Sequence, residues 1–213
     1  VLEQGPDGWT PTGRIGGDNL GIDAISGDEA RCTDEGEAAL FECSSVDLLS
    51  FIPLGDMEAE RGINTNDVWG WTDSESGREI VLVGMTNQTA FVDVTNPGTP
   101  LYLGRLPMPE GSNVTVWRDM KVYDNHMFVV ADNAGEHGMQ VFDLTHLRGL
   151  DGSEPVTFTE DARYDRIHSA HNIVINEDTG YAYSVGSSGG GETCGGGLHM
   201  INIQDPKNPE FAG

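Results

Sequence analysis

Apolar and polar residues alternate along much of this chain in short runs, each closed by a turn-forming cluster, and a helical period never persists. "IVLVGM", "MFVVAD" and "YAYSVG" each follow a polar turn, "DSESGRE", "YDN" or "NEDTG". Each in turn leads to a second alternating run, "TAFVDVTNP", "MQVFDLTHL" or "LHMINIQDP". Alternation with turn residues at every break is the pattern of β-strands with one face toward a core. Edge-like pieces follow as "PLYLGRL" and "PEFAG". The first 30 residues lack such periodicity and read as an extended, Gly- and Asp-rich arm. From Val46 the character changes, and "VDLLSFIPL" predicts a short buried strand or helical turn leading into the fold. The division is therefore an arm over residues 1–45 and a strand-rich body over 46–213.

The body repeats. Units begin at Asn66-Asp67-Val68, Arg118-Asp119-Met120 and His171-Asn172-Ile173; Asp67 lies 52 positions before Asp119, and Asp119 53 before Asn172. Four short strands per roughly 50 residues predict an all-β fold, a β-propeller of four-stranded blades. Three blades do not close a ring, since propellers have roughly four or more. The chain is thus expected to cover part of a ring that a longer protein or an oligomer completes.

Composition narrows the partners. Eleven Lys and Arg against 35 Asp and Glu give a net charge of -24, which excludes the basic stripe that nucleic acid binding needs. It favours solubility and tolerance of salt. The 29 glycines and 10 prolines suit many turns better than long helices. No apolar run approaches the roughly 20 residues of a membrane-crossing helix. Cys32 and Cys43 bound a loop short enough to close as a disulfide, worth roughly 3 kcal/mol by loop entropy. Two unpaired thiols are the alternative, and zinc lacks a second ligand cluster. Cys194, in "GGGETCGGG", is left over: a staple awaiting a partner, or a nucleophile beside His199.

The runs "VDVTNPGTP" and "INIQDPKNP" resemble the LVIVD repeat of bacterial surface propellers. With "CSSVDLLSFIPLGDM", "SAHNIVINEDTGYAYSVG" and "CGGGLHMINIQDPKNPEFAG", residues 30 to 213 resemble the choice-of-anchor B family. The resemblance implies an exported bacterial protein, extracellular or at the cell surface, with variable C-terminal anchors and no established reaction.

Candidate chemistry centres on "RIHSAHN". Aligning the repeats sets Asn66, Arg118 and His171 at one position and Asp67, Asp119 and Asn172 at the next. In a propeller these six would form a polar ring at the channel mouth, where Asp67, Asp119 and Asn172 hydrogen-bond neighbouring backbone to hold blades in register. The competing expectation is a transition-metal site of His168 and His171 with Asp165 or a ring carboxylate. His126, His137, His146 and His199 read as ordinary surface or interblade residues. The acidic turns "DSESGRE", "DNAGE" and "NEDTG" are candidates for calcium, with a solvated hairpin tip as the alternative, and "GGDNLGIDAISGDE" reads as a solvated acidic loop. "NQT" at 87 and "NVT" at 113 match a glycosylation sequon by chance. No HExxH or phosphate-loop motif occurs. The expected role is a surface binding or scaffold module for a protein, glycan or ion. A metal-dependent enzyme centred on His168 and His171 is the alternative.

Overall fold

The structure, a computed structural model, describes residues 2–5, 8–11, 22–191 and 194–213. The chain divides into two compact units, Val1–Asn64 and Thr65–Gly213. The all-β expectation holds: strands dominate, and the helices are short 3-10 turns. No helix among the described residues is long and apolar enough to cross a membrane.

In the first unit, β1 (Leu2–Gly5) and β2 (Gly8–Pro11) pair antiparallel, so these residues of the expected arm form a hairpin. Residues 16–21 of the candidate loop at 16–29 lie outside the described residues. Cys32 and Cys43 are joined as a disulfide with Cα atoms 5.8 Å apart. Within that loop β3 (Glu37–Ala38) and β4 (Phe41–Glu42) pair as a second hairpin. Of the two readings of "VDLLSFIPL", the buried strand does not form, since the segment makes only single bridges, Leu48 to Ala30 and Phe51 to Ile25, whereas a 3-10 turn, Leu54–Met57, begins at its last residue. Val46 and Leu49 stay exposed. An apolar run needs a continuous partner strand to become a strand itself, and here only isolated rungs form.

Among the described residues the second unit carries three sheets, antiparallel throughout except for one strand added to the first. The first runs in order through β5 (Thr65–Thr72), β6 (Glu79–Met85), β7 (Gln88–Asp93) and β8 (Leu101–Pro107). The second comprises β9 (Arg118–Tyr123), β10 (His126–Ala131) and β11 (Met139–Asp143). Beyond the short β12 (Val156–Thr157), β13 (Ala162–Tyr164) completes the second sheet as its fourth strand. The third runs β14 (Asn172–Asn176), β15 (Tyr181–Val185), β16 (His199–Asn202) and β17 (Glu210–Phe211). None of these sheets closes on itself. The opening strands lie side by side, with β9 between β5 and β14.

Burial follows from that stacking. Along β10, Met127 and Val129 face a core shared with the first sheet, while Phe128 and Val130 face one shared with the third. A sheet covered on both faces needs a continuous apolar strand, and "MFVVA" is one. Full burial of Phe91, Phe128 and Phe142 contributes roughly 2 kcal/mol each.

The strand β12 was not anticipated. It adds in parallel to the edge of β8, with Val156 beside Gly104. Gly104 has φ +139, and a Cβ there would sit 2.1 Å from the Val156 carbonyl oxygen, so only glycine permits the approach. The reward is Phe158, whose ring meets Phe142 at 5.0 Å and Phe91 at 5.7 Å. Each third strand also ends in the same side-chain turn: Asp93, Asp143 and Asn202 accept from the backbone N–H of Thr95, Thr145 and Gln204.

Candidate functional site

The opening strands of the three sheets are joined by a repeated polar seam. Asp67 on β5 accepts from the backbone N–H of Met120 on β9 at 3.3 Å. One repeat on, Asp119 accepts from the N–H of Ile173 on β14 at 2.7 Å. Alternate residues of a strand point to one side, so a carboxylate at this position reaches across to the next opening strand. Flanking amides tighten the join: Asn66 Nδ2 donates to the Arg118 carbonyl at 2.8 Å, and Asn172 Nδ2 to Asp119 at 3.1 Å. Lys121 Nζ donates to the other Asp119 oxygen at 2.5 Å.

The two carboxylates are poised differently. Burial raises the Asp119 carboxyl, but Lys121, the Ile173 N–H and Asn172 together overcome it and hold it below its ordinary range. Asp67 is raised by burial, with the neighbouring Asp119 adding to the rise, against the N–H groups of Val68 and Met120.

The six residues of the expected ring do not all lie at an open mouth. Asn66, His171 and Asn172 are exposed, whereas Arg118 and Asp119 are buried because sheets flank β9 on both sides. Arg118 turns inward, donating from Nε to the Met85 carbonyl at 2.7 Å and from Nη1 to His137 Nε2 at 2.9 Å. His137 Nδ1 is 3.0 Å from the Gly138 carbonyl, which fixes it as the protonated nitrogen. Of the two expected settings, surface or between sheets, the surface one is ruled out, because this histidine is fully buried. Burial, then the charges of Arg118 and Arg163, push it down to about 3, so it stays neutral beside the guanidinium. Burial alone pulls Arg118 down to about 10.

The expected metal set of Asp165, His168 and His171 does not converge. His171 Nδ1 contacts Asp132 at 2.9 Å, in the "DNAGE" turn. The backbone of His168 and Ser169 pairs with the Ser188 carbonyl, and the His168 ring lies against Gly189. An extended segment cannot bring both imidazoles to one point. Among the described residues one group has ligand spacing, Asp143, His146 and Asp161. There Lys207 supplies the positive charge itself, with Nζ 2.8 Å from Asp143 and 3.6 Å from Asp161. The "DSESGRE" turn likewise commits Asp73 to its own chain: Arg148 first, and Ser76 after it, hold that carboxyl well below the usual range.

Beside the seam lies an exposed surface that sequence reasoning missed. Trp69, Lys121 and Val174 occupy equivalent positions, two residues after Asp67, Asp119 and Asn172. Lys121 Nζ stands 4.3 Å above the Trp69 ring centroid. Trp69 is 41% exposed, Val174 57%, and Trp117, immediately before β9, 53%. The repeat register placed these three together; only the two tryptophans, a costly residue to expose, signalled a surface for contact. No protein-family model matches the chain, and no curated protein matches it.

Proposed function

We propose that this chain supplies three blades of a β-propeller that acts as an extracellular binding or scaffold module, in the manner of the choice-of-anchor B family it resembles. The propeller reading is supported by meanders that run outward from adjacent opening strands and by the carboxylate clamp repeated at a blade's spacing. Export is supported by the Cys32–Cys43 disulfide, since such bonds persist in oxidising compartments.

The observation that carries a binding role is the exposed Trp69–Lys121 pair, with a second exposed tryptophan, Trp117, just ahead of the strand that carries Lys121. Flat aromatic faces flanked by amides and carboxylates stack on sugar rings and hydrogen-bond their hydroxyls, and rigid strands hold those groups ready at low entropic cost. A glycan array tests it. The wild-type chain is expected to bind a subset of glycans saturably, and the Trp69→Ala, Trp117→Ala double variant to lose most of that signal. Equal retention by both proteins, or no binding by either, sinks the glycan-binding role.

A further inference from the structure

The geometry points to Cys194 as a reactive thiol that exchanges with low-molecular-weight disulfides, with His199 as its proton acceptor. Cys194 is exposed, and its Sγ lies 3.7 Å from Nδ1 of His199. The opposite nitrogen, Nε2, is 2.7 Å from the hydroxyl of Tyr164. His199 is fully buried, with its ring 5.7 Å from that of Tyr164 and 5.1 Å from that of Phe211. A nucleophile, a base and a group that orients the base therefore stand in line.

A separate observation marks this place as built for more than packing. Ser184 is the cross-strand partner of His199, is fully buried, and its hydroxyl has no hydrogen-bond partner. An orphaned hydroxyl beside a buried imidazole is a costly feature that an incoming polar group would relieve. There is also room nearby. Gly190 lies so close on Arg166 that a Cβ would sit 2.5 Å from its carbonyl carbon. A cavity of about 290 Å³ is walled by Arg163 to Arg166 and Pro209 to Phe211, including the two aromatic residues that flank His199.

Disulfide exchange suits this constellation because it needs a thiolate, a proton acceptor and an open approach to sulfur, with no cradle for an oxyanion. The Cys194 proton passes to His199 Nδ1, and the thiolate attacks one sulfur of the incoming disulfide. The old S–S bond breaks, a mixed disulfide forms on Cys194, and the departing thiolate takes the proton from His199. One thiol and one disulfide become one mixed disulfide and one thiol. Tyr164 is a positioning residue in this scheme. The inference stands apart from the glycan-binding role.

The test is the rate at which the native protein releases thiol from a chromogenic aromatic disulfide at pH 7. Wild type is expected to release one equivalent at least about tenfold faster than N-acetylcysteine, with a normal solvent isotope effect in D2O. Cys194→Ser should release none. Tyr164→Phe, folded by thermal melting, should keep the stoichiometry but lose both the acceleration and the isotope effect. Wild-type reaction no faster than N-acetylcysteine, release by Cys194→Ser, or an unchanged rate in folded Tyr164→Phe overturns the proposal. Should Tyr164→Phe not fold, the wild-type comparison with N-acetylcysteine decides.

Discussion

Replacing Asp119 with alanine is expected to destabilise the second unit by roughly 4 kcal/mol, read as a lower urea midpoint. The carboxylate accepts from the Ile173 N–H, Asn172 Nδ2 and Lys121 Nζ, and its side chain is only 8% exposed. Truncation leaves the Ile173 amide, on a fully buried residue, without its acceptor and strips Lys121 of its carboxylate. Asp119→Asn should cost less, since an amide oxygen still accepts from Ile173. Asp67→Ala should cost about 1 kcal/mol, because its bond from the Met120 N–H is longer and its surroundings wetter. The ordering matters more than the values. Equal losses at Asp67 and Asp119 would mean that both act through general acidity of the seam, not through individual bonds.

The second large effect is a loss of stability in mild acid that His137 causes. In the unfolded chain this imidazole takes a proton near its ordinary value of 6.5, whereas the folded protein resists until about 3. Between those values the unfolded state binds more protons, so stability falls as pH falls. The full window is worth on the order of 5 kcal/mol, of which about 2–3 kcal/mol appears between pH 6.5 and 4.5. That upper part lies clear of the lowered carboxyls. Asp93, Asp119, Asp143 and Asp161 are held below their ordinary range, so their contributions are present above about 4 and fade only below it. Asp67, raised, works in the opposite direction above its ordinary value, and equally in both proteins. His137→Gln keeps an acceptor for Arg118 and cannot titrate. Chemical denaturation at pH 6.5 and 4.5 should show the wild-type loss shrinking by most of that amount in the variant. Parallel losses in the two proteins would assign the acid sensitivity elsewhere.

Much of the strand pattern was legible because alternation and turn chemistry are local. "IVLVGM", "MFVVAD" and "YAYSVG" became β6, β10 and β15 with shifts of about a residue. The disulfide was legible from a short loop. The strand β12 was not, because two residues joining a distant edge have no period, and the cause, the space over Gly104, is tertiary. The strand reading of "VDLLSFIPL" failed for the converse reason, since it has the composition of a strand without a continuous partner, while a helical turn does follow at Leu54–Met57.

At the site, the repeat register brought Asp67, Asp119 and Asn172 into correspondence, but correspondence does not fix exposure. Arg118 shares its position with exposed Asn66 and His171, yet it is buried because only β9 lies between two other opening strands. Its partner His137 comes from a turn with no periodic signal. His168 and His171, three positions apart, would share a face only on a helix. On extended backbone the two rings part, and His171 finds Asp132 instead.

The central claim is that the Asp119 carboxylate fastens the second sheet to the third through the Ile173 amide, and native-state hydrogen exchange reads that bond directly. The account predicts that the Ile173 amide exchanges as slowly as those of Phe128 and Val129 in the wild type. In Asp119→Ala it should speed up more than the amide of Leu82 in the first sheet. Fast Ile173 exchange in the wild type, or a slow rate unchanged by the substitution, would contradict it.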